Sequence, residues 1–196
     1  MRPGIVIIAL WVGWLLSWVL AALWSNRTDK RPPLGAEIGY RIPMMLGSLA
    51  MFVPAHGYEG RLRWWHVGWD GAWLCVAGVA LGILVAWWAR LYLGPLWSGR
   101  ITRKIDHRVV ASGPYAIVRH PIYSGLLLSL LATAVAKGTV PGVAGFLLLC
   151  LGFYMKARQE ERWLIQELGE GAYGEYRKRV PMLIPFGPKD SRRRRR

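Results

Sequence analysis

The chain has 196 residues, of which 54% are hydrophobic and 12 are tryptophan, and its 26 Lys and Arg against 11 Asp and Glu give a formal charge of +15. Residues 4–24 and 71–89 carry no charged side chain, and a helix of about 20 apolar residues crosses the ~30 Å hydrocarbon layer of a bilayer. This composition excludes a soluble globular domain, a disordered chain and a small disulfide scaffold. The sequence therefore predicts an all-α integral membrane protein.

Hydropathy along the chain predicts five membrane-spanning helices. In chain order they are expected at residues 4–24, 42–55, 71–93, 122–136 and 138–155. The second span is short, so it needs the residues before it, with Arg41 extending toward the interface, to cross the bilayer. Gly138, Pro141 and Gly142 separate the last two spans. Glycine and proline at such a position are typical of a tight turn, which predicts a helical hairpin.

The distribution of basic residues predicts the orientation of these spans. With the N-terminus outside, the cytoplasmic segments hold 20 Lys and Arg and the opposite side holds four, if Arg41 and Arg90 near span ends are set aside. Because cytoplasmic loops are enriched in Lys and Arg, this orientation is favoured and the C-terminus is expected in the cytoplasm. The chain then divides into three N-terminal spans (1–93), a catalytic region of two polar segments around the hairpin (94–186), and a basic tail (187–196).

The arginine tail and the two cysteines have simple structural interpretations. The five arginines at 192–196 are expected to lie near anionic lipid headgroups. The sequence contains no nucleic-acid recognition module beside these charges, so nucleic-acid binding is not expected. Cys75 and Cys150 lie inside apolar stretches without further ligands at metal spacing, so we expect packing residues and no metal site. The chain also lacks the glycine-rich dinucleotide motif, the P-loop and the G-x-S-x-G elbow.

The titratable side chains on the cytoplasmic side gather at the two ends of the predicted hairpin. Proline is favoured in the first helical turn, so His120 before Pro121 is expected at a helix N-terminus, where free N–H groups favour an anionic ligand. Glu160 is expected to face His120 from the other end of the hairpin. Arg158 and Glu161 can pair on one helix face, which predicts a self-neutralised helix end. The alternative is a carboxylate that binds a cationic or hydroxyl-rich ligand.

Four short motifs in the second half of the chain carry a family resemblance. They are S-G-P-Y at 112–115, R-H-P-I-Y-S-G at 119–125, E-E at 160–161 and Y-R-K-R-V-P at 176–181. In this order and combination, residues 90–186 resemble the isoprenylcysteine carboxyl methyltransferase family and its phospholipid methyltransferase relatives. Any one of the motifs alone is weak, and the first two spans match the family only in being spans.

The resemblance implies a bacterial-type enzyme of an inner membrane that uses S-adenosylmethionine to methylate a lipophilic acceptor reached from the bilayer. The expected reaction is carboxyl O-methylation of an isoprenylcysteine-like substrate. A carboxylate is already ionised at neutral pH and needs no general base, which favours it over an amine acceptor. The alternatives are phospholipid N-methylation, a membrane enzyme resembling sterol reductases with a nicotinamide cofactor, and a non-enzymatic scaffold that binds lipids or a partner through its basic tail.

The resemblance also assigns site residues by position, with the cofactor enclosed between the loop before the hairpin and the segment after it. The residues expected to bind the cofactor are His107, Arg108, Val109, Val110, Tyr115, His120, Pro121, Ile122, Tyr123 and Glu160. Those expected to be catalytic are Lys156, Arg158 and Glu160.

Two positions depart from the pattern of this family. The family has an arginine at the position of Lys156, and the two side chains are not interchangeable where a carboxylate is held by two hydrogen bonds. The stretch from Gly169 to Tyr173 is one residue longer than the usual G-E-x-Y spacing. Both departures concern the acceptor side of the site more than the cofactor side.

Overall fold

The computed structural model describes residues 2–23, 28–30, 35–52, 62–94, 103–104, 110–168 and 170–189. Within these residues the chain is almost entirely helical. The elements in chain order are α1 (Pro3–Ala22), β1 (Thr28–Lys30), α2 (Gly35–Phe52), α3 (Trp69–Leu93), β2 (Arg103–Lys104), α4 (Pro114–Ile117), α5 (Pro121–Lys137), α6 (Val140–Leu168), a π-helical turn (Glu170–Gly174) and α7 (Glu175–Arg179).

Three of the described helices are long and apolar enough to cross a membrane. They are Pro3–Ala22, Trp69–Leu93 and the Val140–Gln166 part of α6. The shorter helix α5 is also apolar, and α2 carries Glu37 and Arg41 in its first half. These helices confirm the predicted fold class, an all-α membrane protein.

Two helices extend beyond their predicted spans. α2 begins at Gly35, ahead of residue 42, and Glu37 and Arg41 on successive turns form an ion pair that makes this polar start compatible with a helix. The predicted end of that span, residues 53–55, lies outside the described residues. α6 continues past residue 155 to Leu168, because the stretch that follows is rich in Ala, Arg, Gln, Glu and Leu and holds no Gly or Pro before Gly169.

Small residues allow the helices to approach closely in two pairs. A Cβ added to Gly82 of α3 would overlap the carbonyl oxygen of Gly125 on α5, and Ser129 on α5 donates to the carbonyl of Val79 across 2.9 Å. On the other side of the molecule, a Cβ on Gly145 of α6 would overlap the backbone of Met51 on α2. Small residues at the crossing point are how helices pack where lipid supplies no hydrophobic driving force.

The connections between helices alternate between the two ends of the bundle. At one end β1 pairs antiparallel with β2, with Thr28 opposite Lys104. At the other end Arg63, before α3, forms a β-bridge with Thr139 in the α5–α6 turn. In that turn Gly138 caps α5 with a left-handed backbone (φ 59°), so the predicted hairpin is confirmed. The N-terminus of α5 and the polar C-terminal part of α6 consequently lie close together.

Candidate active site

His120 occupies the N-cap position of α5, at the end of the bundle opposite the hairpin turn. Its backbone N–H donates to the carbonyl of Met182 across 3.1 Å, and the N–H of Arg119 donates to the carbonyl of Pro181 across 2.9 Å. The His120 side chain itself donates or accepts no capping hydrogen bond with the first turn of α5. The chain after α7 therefore lies alongside residues 119–120 and fixes the entry into the helix.

Glu160 of α6 lies beside His120, as the hairpin predicts. The carboxylate Oε2 of Glu160 is 3.5 Å from Nδ1 of His120, and Oε1 accepts a 2.6 Å hydrogen bond from the Tyr123 hydroxyl. The imidazole of His120 stacks on the Tyr123 ring with an interplanar angle of 3° and a centroid distance of 5.4 Å. These three side chains form one compact polar group that is 18% exposed at the Glu160 side chain.

Glu161 lies on the protein side of this group and is held by two arginines. Its Oε1 accepts a 2.6 Å hydrogen bond from Nε of Arg119 and lies 3.3 Å from Nε2 of His120. Its Oε2 lies 3.3 Å from Nε of Arg177. The expectation that Glu161 pairs with Arg158 is wrong, because these basic groups from outside α6 surround the carboxylate instead.

The segment from α7 to Leu183 is fastened over this end of the bundle by buried hydrogen bonds. The Arg119 guanidinium donates to the carbonyls of Arg177 and Val180 across 2.9 and 2.6 Å. The Tyr176 hydroxyl donates to the carbonyl of Tyr115 across 2.6 Å. Backbone carbonyls buried in this way need donors, and Arg119 supplies several of them. Sequence reasoning missed Arg119 as an organising residue, although it stands inside the R-H-P-I-Y-S-G motif.

Charge and burial determine the protonation states of His120, Tyr115 and Tyr176 at this end of the bundle. Burial disfavours the imidazolium of His120, but the hydrogen bonds and negative charges of Glu160 and Glu161 outweigh it, so the pKa of His120 is raised above its ordinary value. Burial raises the pKa of Tyr115 and of Tyr176. Both phenols are therefore neutral near pH 7, and the Tyr176 hydroxyl is a hydrogen-bond donor.

Lys156 lies one helical turn before Glu160 on the same face of α6. Its ammonium is 5.2 Å from the ring centroid of Tyr123 and 5.9 Å from that of Tyr40 on α2. Arg158 lies between them in sequence, which at about 100° per residue places it on nearly the opposite side of the helix. The structure brings Lys156 and Glu160 together and does not place Arg158 with them.

The remaining residues predicted to bind the cofactor either lie in or against the core or lie outside the described residues. Pro121 and Ile122 are buried, and Ile122 and Tyr115 belong to the apolar core against which Val110 packs. These side chains therefore lie in the core beside the start of α5. His107, Arg108 and Val109 lie outside the described residues.

The extra residue between Gly169 and Tyr173 is accommodated in a π-helical turn at Glu170–Gly174. A π-helical turn takes one residue more than an α-helical turn. Tyr173 in this turn and Tyr176 in α7 are both buried and pack against Leu164 and Ile165 of α6. The π-helical turn and α7 thus bring both tyrosines against the same part of α6.

These residues lie in or next to a segment with known relatives. Residues 73–166 match the model of the isoprenylcysteine carboxyl methyltransferase family. The resemblance to this family is confirmed. The segment that matches the family includes most of α3, all of α5 and most of α6, and it contains His120, Tyr123, Lys156 and the two glutamates.

Individual proteins with similar sequences come from bacteria and from a yeast. The chain is 32% identical over 123 residues to the cobalt-zinc-cadmium resistance protein CzcN of Cupriavidus metallidurans. This match covers 61% of this chain and 55% of that protein. It is 37% identical over 87 residues to protein-S-isoprenylcysteine O-methyltransferase of Schizosaccharomyces pombe, covering 44% and 36%. It is 45% identical over 75 residues to methanethiol S-methyltransferase 2 of Bradyrhizobium diazoefficiens, covering 36% and 26%. The matches thus span about half the length of these relatives or less.

Proposed function

We propose that the protein is an S-adenosylmethionine-dependent methyltransferase that acts on a lipophilic acceptor in the membrane. The observation that carries this proposal is the group formed by His120, Tyr123 and Glu160, which lies inside the segment that matches the family. It places a partly exposed carboxylate beside the N-terminus of α5, where the side chain of the N-cap residue His120 makes no capping hydrogen bond. Relatives named as O- and S-methyltransferases support the same reaction class.

The donor set at this place fits the cofactor, which carries a carboxylate, an ammonium, a sulfonium and ribose hydroxyls. Glu160 accepts from Tyr123 at one oxygen, and a carboxylate has about four acceptor positions, so it retains capacity for an ammonium or hydroxyls. The first-turn amides of Ile122 and Tyr123 have no intrahelical acceptor. A helix N-terminus of this kind favours a carboxylate. Glu160 and α5 would therefore hold opposite charges of one zwitterionic ligand.

Methyl transfer places modest chemical demands on the protein. The cofactor supplies a methyl group activated on a positively charged sulfur. In-line displacement mainly requires that donor and acceptor are aligned and that water is excluded. Burial of His120 and Arg119, together with the hydrogen bonds that Arg119 donates to the carbonyls of Arg177 and Val180, closes the protein side of the site against water. Glu160 orients the ligand and needs to move no proton when the acceptor is a carboxylate.

Carboxyl O-methylation of an isoprenylcysteine-like acceptor is the reaction that these residues support best. The Lys156 ammonium lies beside Glu160 and can attract an anionic acceptor group to the cofactor site. An amine acceptor, as in phospholipid N-methylation, must lose a proton to a base. Glu161 is already engaged by Arg119 and Arg177, which argues against a free base there. The relative named for methanethiol makes a thiol the second acceptor to test.

We also propose that the N-terminus lies outside and the C-terminus lies in the cytoplasm of a bacterial inner membrane. Basic residues favour this orientation. The β1–β2 pair and the Arg63–Thr139 bridge support connections that alternate between two ends, as five crossings require. Reporter fusions after residues 58 and 190 test it. Only the fusion after 190 is expected to be active with a cytoplasmic reporter, and the reverse pattern would contradict the orientation.

An assay with methyl-labelled S-adenosylmethionine tests the function itself. The purified protein in lipid nanodiscs is incubated with an S-farnesyl N-acetylcysteine, a phosphatidylethanolamine or an alkyl thiol, and the labelled product is identified. We expect label in the farnesylcysteine methyl ester. Label in the phospholipid or the thioether would replace the acceptor but keep the methyltransferase. Failure to bind the cofactor in nanodiscs and in detergent would contradict the proposal.

A further inference from the structure

Helix α2 contributes an aromatic side chain to the acceptor end of the site. The Lys156 ammonium of α6 lies 5.9 Å from the ring centroid of Tyr40 on α2 and 5.2 Å from that of Tyr123 on α5. A cation within about 6 Å of an aromatic ring centroid is attracted by the ring face. Lys156 therefore lies within range of two rings carried by two different helices.

Tyr40 is fixed in this position by the contact between α2 and α6. Its side chain is only 5% exposed. A Cβ added to Gly152 of α6 would overlap Met44 and come within 3.3 Å of the Tyr40 carbonyl, so the two backbones touch at this level. The ion pair between Glu37 and Arg41, the residue directly after Tyr40, stabilises the helical start of α2. The ring is thus part of a rigid wall rather than a mobile side chain.

We infer that Tyr40 is a positioning residue for Lys156, and that the two tyrosine rings hold the ammonium where it receives the single carboxylate of an amphiphilic acceptor. This inference rests on the proposed methyltransferase function. Tyr40 lies outside residues 73–166, the segment that matches the family. The acceptor end of the site is therefore completed by a helix that the family match does not cover.

The chemistry of lysine explains why Lys156 needs the rings of Tyr40 and Tyr123, here called the tyrosine clamp, to hold its ammonium in place. An arginine grips a carboxylate through a planar fork that fixes its orientation, whereas a lysine ammonium is a point charge on a flexible stem. Two ring faces restrict that stem and preserve the charge. Glu160, one turn along the same helix face, lies close to the ammonium, so the clamp also keeps the acceptor group next to the cofactor-binding carboxylate.

Steady-state kinetics with S-farnesyl N-acetylcysteine as the probe test this role, using the full chain in nanodiscs. We expect Tyr40→Leu to raise the KM for the probe about tenfold, because the variant loses one desolvated cation–π contact with Lys156. The kcat and the Kd for S-adenosylmethionine are expected to stay within about twofold. Tyr40→Phe keeps the ring and should restore the KM. Tyr154→Leu is the matched control, because Tyr154 is two residues from Lys156 and 49% exposed on the far side of α6.

A competition measurement separates this inference from the proposed function. The carboxamide of the probe lacks the negative charge, so wild type should bind it more weakly than the acid, and Tyr40→Leu should lose that preference. Equal binding of acid and amide by a wild type that binds S-adenosylmethionine would overturn the inference and leave the methyltransferase standing. So would a Tyr40→Phe variant as damaged as Tyr40→Leu. Absence of cofactor binding in wild type would overturn the proposed function itself.

Discussion

The Nε of Arg119 and the Oε1 of Glu161 are 2.6 Å apart, and the two side chains are 3% and 2% exposed. Arg119 precedes α5, and Glu161 lies far along α6, so this ion pair joins the two ends of the hairpin. The same guanidinium donates to the carbonyls of Arg177 and Val180. One buried ion pair thus connects the hairpin to the segment that covers the site.

Breaking this pair should unfold the covered end of the molecule. Glu161→Gln leaves the Arg119 charge buried without its counterion, a change that costs about 3–5 kcal/mol in proteins. We expect a clearly lower thermal unfolding midpoint in detergent. Glu175→Gln is the matched control, because Glu175 pairs with Lys178 where both side chains are more than half exposed, and its midpoint should not change. Equal midpoints for the two variants would show that the buried pair contributes nothing to stability.

The raised pKa of His120 predicts a pH dependence of stability. Burial opposes the imidazolium, and the two glutamates more than compensate, so the folded pKa lies above the unfolded value near 6.5. Protonated His120 therefore stabilises the folded state, and this contribution is fully present at pH values below the pKa of His120 in the unfolded chain. The contribution is lost as the pH rises through the pKa of His120 in the folded state. The difference in unfolding midpoint between wild type and His120→Gln should therefore shrink from about pH 6 toward about pH 9. A difference that grows over that range would contradict the assigned charge state.

Close packing of α3 on α5 predicts sensitivity at Gly82. Gly82→Ala places a methyl group against the Gly125 carbonyl, and overpacking of this kind costs about 1–3 kcal/mol. The control is Gly13→Ala, because nothing lies within 4 Å of a Cβ at Gly13. Unfolding midpoints should fall for the first variant and stay level or rise for the second. Similar midpoints would mean that the two helices do not cross at Gly82.

Features with a strong local signal could be predicted from the sequence. Of the five predicted spans, those at residues 4–24, 71–93 and 138–155 correspond to described helices long and apolar enough to cross a membrane, and the Gly138 region predicted the hairpin. A hairpin necessarily brings its ends together, so the proximity of His120 and Glu160 followed from topology. The assigned roles of these residues stay predictions.

Contacts between distant parts of the chain could not be predicted. Arg158 stands at the ideal spacing to pair with Glu161, yet Arg119, 42 residues away along the chain, binds that carboxylate because it is buried against the same end of α6. Tyr40 carried no signal at all, since only the packing of α2 on α6 brings its ring to Lys156. Local charge spacing is a weak guide where burial decides which partner a carboxylate takes.

In the proposed site, Glu160 holds the cofactor beside the start of α5. Binding of S-adenosylmethionine to Glu160→Gln, measured by isothermal titration in nanodiscs, tests it most directly. A charge-assisted hydrogen bond contributes about 1.5–3 kcal/mol, so the Kd is expected to rise at least about tenfold in a variant that still folds. Glu175→Gln, on the exposed face of α7, should bind like wild type. If Glu160→Gln also binds S-adenosylmethionine with the wild-type Kd, the cofactor site is not where we place it.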